Sequence, residues 1–129
     1  MGHPNEDVMR KGYKAFSEGD LETIGTLFAD DIIWHVSGKS SISGDYKGKE
    51  QVFEFFGKVT QETGGTFKID IHEVLANDEH AVVLSTNSAQ KDGKSIEGNS
   101  VAVYHVEGGK VTEAWQLSED QYALDEFWG

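Results

Sequence analysis

GDLETIGTLFADDIIWHVSGKSSISGDYKGKEQVFEFF, residues 19–56, joins a capped amphipathic helix, one short strand and a second helix through a glycine-punctuated loop. Asp20 offers a side-chain oxygen to the free N–H groups of a helix start, and Leu21, Ile24, Leu27 and Phe28 recur behind it at helical spacing. Ala29-Asp30-Asp31 closes that helix. Residues 32–36, β-branched and aromatic, predict a strand, and 38–48 a loop. Residues 49–63 predict a helix striped with Val52, Phe53, Phe55, Phe56 and Val59.

Toward the amino end, Asn5 is the expected cap of a helix reaching Ser17, with Val8, Met9, Tyr13 and Phe16 along one side and Gly19 as its stop. Beyond Gly64-Gly65 the period changes from 3.6 to 2, because Phe67, Ile69 and Ile71 alternate with Lys68, Asp70 and His72. Three more strands are predicted over 80–89, 95–106 and 110–117, parted by turn-forming residues. Ser118 with Gln121 reads as a capping box for a last helix carrying Tyr122, Leu124, Phe127 and Trp128. The order ααβα followed by an antiparallel meander predicts an α+β layer fold with helices on one face. No repeat or linker interrupts it, so 1–129 reads as one domain with an ordered core from about 5 to 128.

A chain of 129 residues buries roughly two-thirds of its extended surface and needs no covalent staple. The absence of cysteine excludes disulfides, thiolate zinc sites and cysteine nucleophiles, and fits a reducing cytosol. No apolar run approaches the ~20 residues that span a bilayer, and MGHPNEDVMRKG lacks the pattern of a leader, so a cytoplasmic location is expected. A net charge of -12 repels phosphate backbones and anionic lipid heads. Neither nucleic acid nor membrane is an expected partner.

This order, with GDLETIGTLFADDIIWH at its head and VYHVEGGKVTEAW near its tail, resembles the nuclear transport factor 2-like superfamily and, within it, the SnoaL-like, ketosteroid isomerase-like group. The resemblance covers nearly the whole chain. It implies a strongly curved antiparallel sheet wrapped around three N-terminal helices as a cone, followed by a short C-terminal helix. The open end would be a ligand-binding pocket, and many relatives pair sheet to sheet as homodimers. The activities it implies are cofactor-free isomerisation, cyclisation, dehydration and epoxide opening, or no catalysis at all. On this pattern the general-base aspartate of ketosteroid isomerase falls on Val36, its oxyanion-hole aspartic acid on Val101 and its tyrosine on Gly12, one residue before Tyr13. A valine moves no proton, so that mechanism is not expected. The only arginine, Arg10, lies in the first helix, which argues against the Asp-Arg-Asp constellation of limonene-epoxide hydrolase.

With these positions as anchors, period-two parity turns Trp34 and Val36 inward, together with Asn99, Val101, Val103 and His105. His105 is then the leading acid-base candidate, since an imidazole in a partly apolar cone titrates near physiological pH; the alternative is a buried histidine bonded to a carbonyl. His35 falls on the opposite face, at the outer sheet or a dimer contact, unless a bulge reverses it into the pocket. Asp120 is either a working carboxylate, as in cyclase-type relatives, or a charge favoured by the dipole of the last helix. Asn99 and Gln116 are amides suited to orienting a ligand oxygen or to structural bonding. Trp34, Tyr13, Phe56 and Trp115 offer an aromatic lining or plain core, and only one of Trp115 and Gln116 faces the cavity in a regular strand. His72 and His80 read as solvated and His3 as disordered. No pair of histidines has metal-ligand spacing and no phosphate-binding glycine pattern occurs, so neither metal nor cofactor is implied.

Two functional readings follow: a binder, or cofactor-free catalyst, of a small apolar organic molecule, and a non-catalytic dimeric ligand-binding or interaction module. The first requires an open cavity on the order of a few hundred Å3 reached by His105 and an amide. The second expects Trp34, Trp115 and Phe56 to plug it.

Overall fold

The computed structural model describes residues 3–129. Its elements are α1 (Pro4–Glu18), α2 (Leu21–Leu27), β1 (Phe28–Val36), β2 (Gly44–Lys47), α3 (Gly48–Glu62), β3 (Lys68–Ala76), β4 (His80–Lys91), β5 (Lys94–Glu107), β6 (Lys110–Ser118) and α4 (Gln121–Trp128). The six strands form one curved, unclosed sheet in the order β2-β1-β6-β5-β4-β3. Every neighbouring pair is antiparallel except β1 with β6, which is parallel. The cone-shaped α+β architecture expected from the resemblance is therefore present, with one parallel pairing inside it.

Local chemistry explains where the elements begin. Pro4 occupies the first turn of α1, where its missing N–H costs nothing, and this moves the cap to His3 rather than Asn5. His3 Nδ1 accepts the Asn5 N–H at 3.0 Å while Glu6 accepts the His3 N–H at 2.8 Å, so His3 is ordered, contrary to expectation. Asn5 is buried instead and donates to the Asn77 carbonyl at 2.8 Å, tying α1 to the β3–β4 turn. α2 starts as expected, with Asp20 accepting the Thr23 N–H at 3.1 Å. Residues 28–31 are extended rather than the end of α2: Phe28 pairs with Val111, and a bulge separates it from the regular pairing at Ile33. The expected loop 38–48 contains the short edge strand β2, whose sequence GDYK shows no apolar alternation. Asp120, not Ser118, caps α4 by accepting the Ala123 N–H at 3.1 Å.

The register sorts side chains into rows across the sheet. One inner row runs Ala76, Ala81, Tyr104, Ala114, Trp34 and Tyr46. The next runs Val74, Val83, Ala102, Gln116 and Val36, and a third is Ile71, Ser85, Ser100 and Ser118. The first two rows are mostly buried against the helices, where Met9, Ile24, Val52, Phe55, Phe56 and Val59 meet them. Small alanines beside large rings let the sheet curl inward. Ala114, with 0% exposure between Tyr104 and Trp34, has no room to grow. Ala114→Leu is expected to destabilise the protein by roughly 1–3 kcal/mol through overpacking, read as a lower urea midpoint; an unchanged midpoint would contradict this packing.

Candidate functional site

The cone holds a hollow with two chambers that share Tyr13, Phe55, Val59, Phe67, Ile69 and Gln116 as walls. The inner one has a volume of about 70 Å3 and is walled almost entirely by apolar side chains. The outer one, about 200 Å3, opens between the serine row of the sheet, the 37–42 loop and α4. α4 is fastened to that loop by Gln121 Nε2 donating to the Ser37 carbonyl at 3.2 Å and by the Lys39 N–H donating to Asp125 at 3.0 Å. Gly38, at φ +96°, permits this closeness, because a Cβ there would collide with Gln121 and Asp125.

Four side chains with polar atoms line the inner chamber. Tyr13, from α1, and Tyr104, from β5, share a hydrogen bond of 2.5 Å between their hydroxyls. Burial pushes the Tyr13 phenol up to about 12 and Tyr104 well above its ordinary value, so both stay protonated at physiological pH. One hydroxyl donates to the other, which leaves one O–H proton to be placed. Trp34 is 4% exposed and stands edge-on to Tyr104 and Phe56, with ring centroids at 5.8 and 5.2 Å. Its Nε1–H has no partner among the described residues. An unpaired buried donor costs about 1–3 kcal/mol, so an acceptor brought to it is favoured. Gln116 lies at the junction of the two chambers. The inner chamber is thus rich in donors and free of charge, suited to holding a ligand oxygen rather than removing a proton.

The expected site residues divide between the two faces. Tyr13, Trp34, Phe56 and Gln116 line the hollow, and Asp120 lines its outer chamber while also capping α4. His105, Asn99 and Trp115 do not face inward. The inner residues of β5 are Ser100, Ala102, Tyr104 and Val106, one position out of step with the family anchor, and a one-residue slip moves a whole strand face. Asn99 is exposed, with its N–H bonded to Glu119 at 3.0 Å, and Val101 and Val103 share its outward side. Gln116 takes the inward position that Trp115 leaves. Among the described residues, no histidine lines either chamber.

Four of the five histidines, His35, His72, His80 and His105, lie on the outer face of the sheet, and His3 caps α1. His35 is held by Asp45 at Nδ1 and Glu113 at Nε2, both at 2.6 Å, and its ring stacks on Trp115. His105 packs edge-on to Trp115 and to His80, with centroids at 4.8 Å, and Glu113 lies 3.8 Å from it. His72 is bonded to Thr86 at 2.7 Å. The Glu113 hydrogen bond chiefly holds the His35 imidazolium above its ordinary pKa, helped by Asp45 and opposed by partial burial. Sequence reasoning missed Tyr104 altogether; the signal was a tyrosine alternating with apolar residues in a strand whose two faces are both apolar.

A family model described as a SnoaL-like domain matches residues 9–114. The crystal structure of Bal32a, from a soil-derived mobile gene cassette, superposes with a TM-score of 0.94 at 38% identity, covering 98% of this chain and 97% of that one. An uncharacterised protein of Mycobacterium tuberculosis is 28% identical over 95% of this chain and 94% of its own length. IdmH, a putative polyketide cyclase from Streptomyces antibioticus, shares the fold at TM-score 0.75 and 18% identity, over 91% of this chain and 93% of that one.

The raised pKa of His35 has a testable sign. Its contribution to stability is present in full below the unfolded value of about 6.5 and is lost as pH rises through the folded value. Urea midpoints are expected to fall from pH 6.5 upward in the native chain and to fall less steeply in His35→Gln; parallel profiles would contradict this.

Proposed function

The chain belongs to the SnoaL-like domain family, and from that membership and the chemistry of its hollow we propose that it binds one small, largely apolar organic molecule carrying an acceptor oxygen. The oxygen sits against Trp34 Nε1 and the tyrosine pair, and the apolar body lies among Phe56, Phe28 and Phe16. The single observation that carries this reading is the unpaired indole N–H, buried in the wall of a hollow that reaches the surface. A solid core would leave such a donor no use.

A catalytic form of the reading is favoured by one feature. Asp120, alone among the three acid-base candidates, lines the hollow, and its likeness to a putative polyketide cyclase fits cofactor-free isomerase, cyclase, dehydratase or epoxide-opening chemistry. In that form Tyr13, Tyr104 and Trp34 polarise the oxygen, Gln116 orients it, and Asp120 exchanges the proton at the mouth. His35 and His105, on the outer face, belong to a second role. There the row Leu75, Val82, Val103, Trp115 and His35 makes a mostly apolar surface, with Leu75 at 55% and Leu117 at 48% exposure. We assign this face to a homodimer contact, formed in a cytosolic setting that the cysteine-free composition suits.

Calorimetric titration with 2-acetylnaphthalene and with 2-ethylnaphthalene, which keeps the shape and lacks the oxygen, tests the binding reading. The ketone is expected to bind about tenfold more tightly, the value of one or two hydrogen bonds to an otherwise orphaned donor, and Trp34→Phe should erase the difference. Equal affinity of the two probes, or no binding of either, would overturn it. For the dimer, sedimentation should show a two-chain species that Leu117→Lys dissociates; a native chain that sediments as a monomer at high micromolar concentration would refute it.

A further inference from the structure

We propose that the outer chamber selects ligands by charge, so that the natural ligand carries a neutral or cationic polar head at the mouth and no carboxylate or phosphate there. This deepens the binding reading and rests on it. The inner sheet face changes character along the cone: an aromatic row, then a row with Gln116, then Ser85, Ser100 and Ser118. Asn87 extends the polar zone, donating to Ser100 Oγ at 3.0 Å and accepting from Ser85 Oγ at 2.9 Å. A ligand with its oxygen at Trp34 therefore presents its other end to hydroxyls and amides.

Every ionisable group lining that end is acidic. Glu119 and Asp120 line the outer chamber, Glu119 with a carboxylate oxygen 3.6 Å from the Cβ position of the inward Gly98, while Glu97 shares the outward side of Asn99; among the described residues no lysine, arginine or histidine lines either chamber. Glu119 receives the Asn99 N–H at 3.0 Å, and Asp120 receives the Ala123 N–H at 3.1 Å. Each keeps oxygen lone pairs for a ligand donor. Three lysines approach the surrounding elements, and each is engaged by a backbone carbonyl: Lys91 at Trp128, 3.3 Å, Lys94 at Glu126, 3.4 Å, and Lys58 at Ser41, 2.9 Å. An anionic head would thus meet two like charges with no cation in the chamber lining to pair with, in a protein whose net charge is already -12. Hydroxyl and ammonium heads find acceptors. The acidic rim is not by itself the site. The unpaired Trp34 N–H in the connected inner chamber independently marks where the ligand lies.

Three probes share one apolar body and differ at the mouth end: 6-acetyl-2-naphthylmethanol, the matching methylamine and the matching carboxylate. Titrated at pH 7.5 and low salt, the acid is expected to bind at least tenfold more weakly than the alcohol and the amine more tightly than either. In Glu119→Gln the spread between amine and acid should shrink several-fold, as it should in 0.5 M salt. Binding of the alcohol reports that the variant has folded. If the acid binds as well as the alcohol, or the spread survives both changes, charge selection is overturned while binding stands. If none of the three binds, the binding reading itself fails.

Discussion

One cross-strand row governs this structure: Ala81, Tyr104, Ala114 and Trp34, side by side on the inner face of β4, β5, β6 and β1. Cross-strand neighbours stand only about 4.5–5.5 Å apart, so two large rings on alternate strands fit only if the residue between them is small. Ala114 is that residue. It lets Tyr104 and Trp34 approach to 5.8 Å between centroids while α1 brings Tyr13 onto the Tyr104 hydroxyl. The rings leave a hollow because they meet edge to face and cannot close on each other. Their polar tips are then trapped in an apolar wall, where hydrogen bonding counts for more than it does in water.

From that row the remaining organisation follows by the period of the strand. Two residues along, the inner face carries Gln116; two further, it carries serines, and the lining of the hollow passes from apolar to polar. Helix α4 completes the polar end through bonds to the 37–42 loop that Gly38 makes possible. The intervening residues form the other face, where His35, Trp115, His105 and Glu113 build a separate charged and aromatic cluster. The two faces share a backbone but no chemistry.

The element order was legible in the residues because each helix keeps its apolar stripe and the period changes cleanly after Gly65. So was the inward facing of Tyr13, Trp34 and Phe56, which lie on elements with one clearly apolar face or beside a firm anchor, whereas the choice between Trp115 and Gln116 stayed open until the register of β6 placed Gln116 inward. What was not legible was the facing of β5. SVAVYHV, residues 100–106, is apolar on both sides, because the outer face is itself hydrophobic, and alternation then carries no sign. Bulges between His105 and Val106, and between Phe28 and Ile33, break the counting that parity depends on. The short strand β2 and the cap at His3 were hidden for a different reason: each depends on a partner distant in sequence, or on proline chemistry that outranks the usual cap residues.

Trp34, Trp115 and Trp128 should give three indole N–H signals in a nitrogen–proton correlation spectrum, one from the apolar inner chamber, one from the outer face and one from α4. On addition of 2-acetylnaphthalene, the Trp34 signal should move downfield and gain protection from solvent exchange, as an orphaned donor does when it finds an acceptor, while the Trp115 signal stays in place. A Trp34 signal that ignores the ketone while Trp115 responds would contradict the account, because the recognition chemistry would then lie on the outer face and not in the cone.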